Sequence, residues 1–216
     1  MTNPAKLMPR ADIVQFFSIL QAANPEPKTE LEYASAFELL AAVLLSAQAT
    51  DISVNKATRP LFARANTPQA IIDLGPPALE DALKTIGLYR SKAKNLLATC
   101  HILMAQHGGE IPHSREALES LPGVGRKTAN VWLNCALGQP TIGVDTHVFR
   151  VANRLGLCAT TTPQATEQAL EKTIPARWKQ HAHHWLILHG RYVCKARKPE
   201  CGRCRVQQWC LFPKKT

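Results

Sequence analysis

The chain has 216 residues, with 26 lysines and arginines against 16 aspartates and glutamates, giving a formal net charge of +10 at pH 7. That length suits one domain or two small ones, and the charge points to a polyanionic partner, nucleic acid before membrane, because no basic amphipathic anchor stands out. The longest apolar run, Leu39 to Leu45, is too short to cross a bilayer, and seven cysteines without a leader argue for a reducing compartment and against a disulfide framework.

Ile13, Val14, Phe16, Phe17 and Leu20 recur at helical spacing and predict a first helix from Pro9 to Ala23, stopped by Asn24-Pro25. The proline-rich stretch Pro25 to Thr29 reads as a linker. Ser35-Ala36-Phe37-Glu38 has the form of a capping box, and it opens a helix apolar on every face through Leu45, hence a central one. This helix ends in Ser46-Ala47-Gln48-Ala49-Thr50-Asp51, the kind of polar end to a buried helix where a site can form. Further helices are expected over Ile52 to Ala63, from Thr67-Pro68 to Gly75, from Pro77 to Lys84, and from Ser91 to Gln106 with Gly108-Gly109 as the stop. Another begins at Ser114.

Leu121-Pro122-Gly123-Val124-Gly125-Arg126-Lys127-Thr128 then describes two helices joined by a tight hairpin, the second starting at about Gly125. Its first N–H groups and positive dipole end make a ready site for a phosphate, a grip that reads no base sequence. Lys127 falls in the first turn, where the macrodipole disfavours a cation. Two readings are open from the octapeptide alone: a lysine touching phosphate, or one whose surroundings favour the free amine, a nucleophile toward carbon.

Thr128 to Leu137 continues the helix and Gly138 ends it. Asp145, before Thr146-His147-Val148-Phe149-Arg150, is placed as an N-cap. One more helix starts at Thr162-Pro163, and Ala176 to His189 supplies the last long one. Without any sustained period-two run, the chain reads as all-α, with roughly ten short helices.

Cys194, Cys201, Cys204 and Cys210 have the spacing C-x6-C-x2-C-x5-C. Structural zinc usually takes two separated C-x2-C knuckles, whereas one short excursion can wrap a cubane; [4Fe–4S] is favoured and zinc is the alternative. Arg191, Lys195, Arg197, Lys198, Arg203 and Arg205 surround the thiols with only Glu200 opposing them, enough charge to offset an anionic cluster and meet phosphate. Cys100, Cys135 and Cys158 read as core thiols, and His181, His183 and His184 as structural histidines rather than metal ligands.

Taken together, Leu44 to Asp51, Ile86-Gly87-Leu88-Tyr89, the hairpin, Val144-Asp145-Thr146-His147, His184 to Arg191 and the four cysteines resemble the endonuclease III family, iron–sulfur DNA glycosylases and abasic-site lyases of the helix-hairpin-helix superfamily. The resemblance implies two helical domains flanking a DNA groove: a six-helix barrel over 28–139 containing the hairpin, and a cluster domain assembled from 1–27 and 140–216. It implies Lys127 as nucleophile and Asp145 as its paired carboxylate, acting in the transition state rather than as a tight salt bridge. Gln48 would fill the gap left in the duplex and Leu88 would wedge between bases. Gly123, Val124, Gly125, Arg126 and Lys198 would contact DNA, and the four cysteines would hold a [4Fe–4S] cluster.

The implied partner is duplex DNA with a damaged base or abasic site, and the enzyme is expected to be a monomer in the cytoplasm, at the nucleoid, with no membrane association. Two other readings compete. A monofunctional glycosylase of the adenine-mismatch type would hold another residue at the lysine position and normally carry a further C-terminal domain. A non-catalytic DNA-binding module leaves the pairing of Lys127 with Asp145 unexplained.

Overall fold

The computed structural model describes residues 6–215. Among them are eleven α-helices and no strand. These are α1 (Arg10–Ala23), α2 (Ala36–Leu45), α3 (Asp51–Phe62), α4 (Pro68–Leu74), α5 (Pro76–Leu83) and α6 (Tyr89–His107). They continue with α7 (Arg115–Glu119), α8 (Arg126–Leu137), α9 (Thr146–Leu155), α10 (Pro163–Thr173) and α11 (Lys179–Tyr192). The fold is all-α, as the periodicity predicts. No helix among the described residues is long and apolar enough to cross a membrane.

The chain divides into two compact units, one of Met1–Lys28 with Gly138–Thr216 and the other of Thr29–Leu137. The Thr29–Leu137 unit is built around α2, whose residues from Phe37 to Leu45 are all buried. Ser35 caps it by accepting the Glu38 N–H at 3.1 Å. The returning arm of the box differs from the pattern expected: the Glu38 carboxylate accepts the N–H of Ala34, at 2.5 Å, one residue before the cap. Across this core Trp132 of α8 donates its indole N–H to the Ala36 carbonyl at 2.9 Å, which fastens α8 to the start of α2.

The other unit has its own core. Phe17 of α1 stacks on Trp178 at 5.7 Å between ring centres, and Trp178 donates to the Gln21 side chain at 2.9 Å. Trp185 of α11 donates to the Asn24 carbonyl at 2.8 Å, so the N-terminal helix is held by residues far along the chain. Two predicted helix starts shift. The expected helix over Ala176 to His189 opens as a 3-10 turn, Ala176–Trp178, before α11 begins and runs on to Tyr192. And α6 starts at Tyr89, ahead of Ser91, because Leu88 takes a left-handed conformation and serves as its N-cap residue.

Candidate active site and cluster loop

The hairpin joins α7 to α8 through residues 120–125. Val124 donates its N–H to the Leu121 carbonyl at 3.0 Å, and both side chains are buried, which pins the bend to the core. α6 supports it from beneath, where the Thr99 hydroxyl donates to the Pro122 carbonyl at 3.0 Å. Gly123 has φ +79°, and a Cβ there would sit 2.9 Å from Asn95 Nδ2 and 3.0 Å from the Asn95 Cβ. Glycine is therefore required at 123 twice over, by conformation and by space. Gly125 differs: a Cβ there would meet nothing within 4 Å, so this side of the bend is open to an approaching partner.

α8 begins at Arg126, one residue later than expected. Its first-turn N–H groups lie beyond the reach of the intrahelical ladder and face the helix entrance. Arg126, half-buried, approaches Glu119 at 3.9 Å. Lys127, the second residue of α8, is also half-buried.

Gln48 and Leu88 share one property that nothing in their identity announces. They are the two non-glycine residues with positive φ among those described, at 53° and 59°, and both side chains are exposed. Leu88, 61% exposed, is no core leucine. A left-handed non-glycine backbone costs about 1–2 kcal/mol and persists where the surroundings over-determine it, which happens most often at functional sites. Four residues past Leu88, Lys92 is buried with no hydrogen-bond partner for its amine, and burial holds its pKa below the usual lysine value.

In the other unit, Asp145 caps α9, with Oδ1 accepting the Val148 N–H at 2.8 Å. The carboxylate is thereby fixed at the helix entrance, half-buried. Further along α9 two arginines reach toward the segment from Gly190 to Ala196. Arg150 donates to the carbonyls of Gly190 at 2.7 Å and Cys194 at 3.0 Å. Arg154 donates to those of Lys195 and Ala196, both at 2.7 Å, and lies 3.6 Å from Cys194 Sγ. Burial pulls the Arg150 pKa down, against the anionic pull of Cys194 and Asp145. Neither arginine was anticipated, since charged residues on an amphipathic helix read as a solvated face.

Cys194, Cys201, Cys204 and Cys210 line one pocket, with His189, Leu155, Phe212 and Lys215 among its other walls. Burial pushes the thiols of Cys204 and Cys210 above their ordinary pKa, so their thiolates need a positive centre between them. His189 Nε2 lies 3.7 Å from Cys204 Sγ. Burial lowers the pKa of that imidazole to about 4, keeping it neutral. Four sulfur donors around one pocket, met by Arg154 and His189, fit an anionic iron–sulfur cluster. Lys198, in the same segment, is exposed.

Comparison with known proteins agrees with this arrangement. The sequence model of the HhH-GPD superfamily base excision DNA repair protein matches residues 41–176, and that of the iron-sulfur binding domain of endonuclease III matches residues 194–210. The chain is 55% identical over 208 residues to endonuclease III of Escherichia coli (strain K12), covering 96% of this chain and 99% of the relative. To endonuclease III of Haemophilus influenzae it is 56% identical over 202 residues, covering 94% and 96%. Among solved structures, a trapped endonuclease III–DNA covalent intermediate is similar with a TM-score of 0.89 at 42% identity, covering 94% of this chain and 96% of that one.

Proposed function

This chain belongs to the endonuclease III family of helix-hairpin-helix base-excision DNA repair proteins, and we infer that Lys127 and Asp145 are the residues with which it works. It is a DNA glycosylase and abasic-site lyase that carries a [4Fe–4S] cluster and acts on duplex DNA. Its substrates are oxidised pyrimidines. It works as a monomer in the cytoplasm, at the nucleoid.

A damaged base inside a duplex is out of reach, so its nucleotide must leave the stack, and a weakened lesion costs less to extrude. The hairpin holds the backbone. Gly125, open on its outer side, lets a phosphate approach the first-turn N–H groups of α8. Arg126 and, from the cluster segment, Lys198 add cationic contacts. Gln48 fills the gap in the duplex and Leu88 wedges the stack; their exposure and strained backbone support these roles.

The unprotonated Lys127 amine attacks the sugar C1′, forming a C–N bond as the glycosidic bond breaks and the base leaves with a proton. The nitrogen gives up a proton, and its lone pair then forms the C1′=N bond as the C1′–O4′ bond breaks and O4′ takes a proton, opening the sugar to a Schiff base. Removal of a C2′ proton then expels the 3′ phosphate by β-elimination, cutting the strand on the 3′ side. Asp145 accepts a proton and stabilises positive charge developing on the sugar. Its cap bond to Val148 suits this role, because the same bond that starts α9 fixes the carboxylate.

Cys194, Cys201, Cys204 and Cys210 hold the cluster. The cluster supplies a rigid centre that folds the basic segment, and no step of the reaction passes through it.

The observation that carries this reading is an amine-bearing residue in the first turn of the hairpin's second helix. Borohydride trapping on a duplex with an abasic site tests it. The intact protein gives a covalent adduct and Lys127→Ala gives none while keeping DNA affinity, since the hairpin glycines remain. No adduct from the intact protein would overturn the imine mechanism, and lost DNA affinity in the variant would make Lys127 a phosphate contact instead.

A further inference from the structure

The two arginines of α9 lie one turn apart, and both reach the backbone at Cys194 and the residues after it, but only one of them also binds the start of its own helix. Arg154 serves the cluster loop: its fork takes the Lys195 and Ala196 carbonyls, it nears Cys194 Sγ, and its guanidinium lies 4.5 Å from the Phe212 ring centre. Arg150 donates its Nε–H to the Cys194 carbonyl at 3.0 Å, and its remaining N–H groups serve the start of its own helix. It donates to the Thr146 carbonyl in the first turn at 3.3 Å, lies 3.2 Å from His147 Nδ1, and fastens both to the Gly190 carbonyl of α11 at 2.7 Å.

The seat that receives this turn is specific. A Cβ on Gly190 would lie 2.9 Å from the His147 Cβ, 3.0 Å from Val151 Cγ2 and 3.3 Å from the His147 Cα. The absent side chain is thus a notch in α11 into which the first turn of α9 is pressed. Asp145 stands immediately before that turn. Arg150 therefore holds, through main-chain carbonyls, the piece of backbone that aims the Asp145 carboxylate. Carbonyl acceptors fix geometry, and a planar fork presents its N–H groups in set directions, which the single rotating ammonium of a lysine does not.

We propose that Arg150, with the Gly190 notch, is a positioning residue for Asp145, whereas Arg154 secures the cluster loop. The inference rests on the reading of Asp145 as the carboxylate of the reaction. Displacement of a reacting group by about 1 Å can cost on the order of 100-fold in rate, so a loosened α9 entrance reads out in the chemical step.

The test is single-turnover base excision by the intact protein, its Asp145→Asn and Arg150→Gln variants, and the double variant, with iron content and DNA affinity measured on each. Arg150→Gln is expected to slow the chemical step roughly 10- to 100-fold while iron content and affinity stay near those of the parent. In the Asp145→Asn background the same change adds less than about threefold, because the group being aimed is gone. Arg150→Lys, which keeps the charge and loses the fork, recovers little. Gly190→Ala shows the same non-additive loss, so the inference stays testable should Arg150→Gln fold poorly.

Equal losses from Arg150→Gln in both backgrounds would overturn the role of Arg150 and leave Asp145 standing. So would a rate loss matched by lost iron. An unimpaired Asp145→Asn would overturn the reading of Asp145, and the inference with it.

Discussion

The Asn95 side chain occupies the space that any Cβ at position 123 would need, with its own Cβ 3.0 Å away. The hairpin bend is therefore seated directly on α6. Gly123→Ala must overcome both this contact and a φ of +79°. We expect it to lose about 1–3 kcal/mol of stability and to weaken DNA binding, read by urea unfolding and by titration with a labelled duplex. Adding Asn95→Ala removes the Nδ2 and Cγ contacts but leaves the Cβ at 3.0 Å and the dihedral, so it returns only part of the loss. Full recovery would show that conformation at 123 is unimportant.

Leu88 offers the opposite sign. At φ 59° and 61% exposed, it contributes strain and little burial. Leu88→Gly removes a left-handed penalty of about 1–2 kcal/mol and adds a glycine entropy cost of roughly half that, so stability should hold or rise. Excision from duplex DNA should fall at least about tenfold, whereas cleavage of a single-stranded abasic site, with no stack to open, should be nearly unchanged. Equal losses on both substrates would show that Leu88 does not act on the stack.

Lys92 has a buried amine with no hydrogen-bond partner, an arrangement that burial penalises. Lys92→Met keeps the length of the side chain and removes the polar atom. Its unfolding free energy should rise by about 1–2 kcal/mol at neutral pH. A loss of stability on chemical denaturation would reveal that the amine has a compensating partner.

Acid should weaken the protein partly through His184. Burial, with His181 nearby, lowers its pKa from 6.5 to about 4. The native state therefore binds fewer protons than the unfolded state between those values, and stability falls as pH drops from about 6.5 toward 4. At pH 5 this amounts to about 2 kcal/mol relative to pH 7.5. In His184→Gln the difference between unfolding free energies at the two pH values should shrink by about that amount. An unchanged difference would mean that His184 does not titrate in this window.

Local rules carried much of the sequence into structure. Ser35, Thr67, Ser114, Asp145 and Thr162 each mark a helix start in the sequence, and each side chain accepts a first-turn N–H. These signals lie within three residues of the bond they describe. The left-handed backbone at Gln48 and Leu88 had no such signal, because glycine or asparagine is the residue a sequence reader expects there. Arg150 and Arg154 were invisible for another reason: their acceptors lie about 40 residues away in the chain. The notch at Gly190 was likewise hidden, since a glycine within a helical run shows only a weak point until its neighbour is known.

The bond from Trp178 to Gln21 spans 157 residues, and that from Trp185 to Asn24 spans 161. On the ribosome, α1 must then wait, its Phe16 and Phe17 without their partners, until nearly the whole chain has been made. The uninterrupted segment from Thr29 to Leu137 needs nothing outside itself for its core and is free to settle first. The four thiols follow the hairpin by some way along the chain, so iron is expected to enter a molecule whose hairpin already exists.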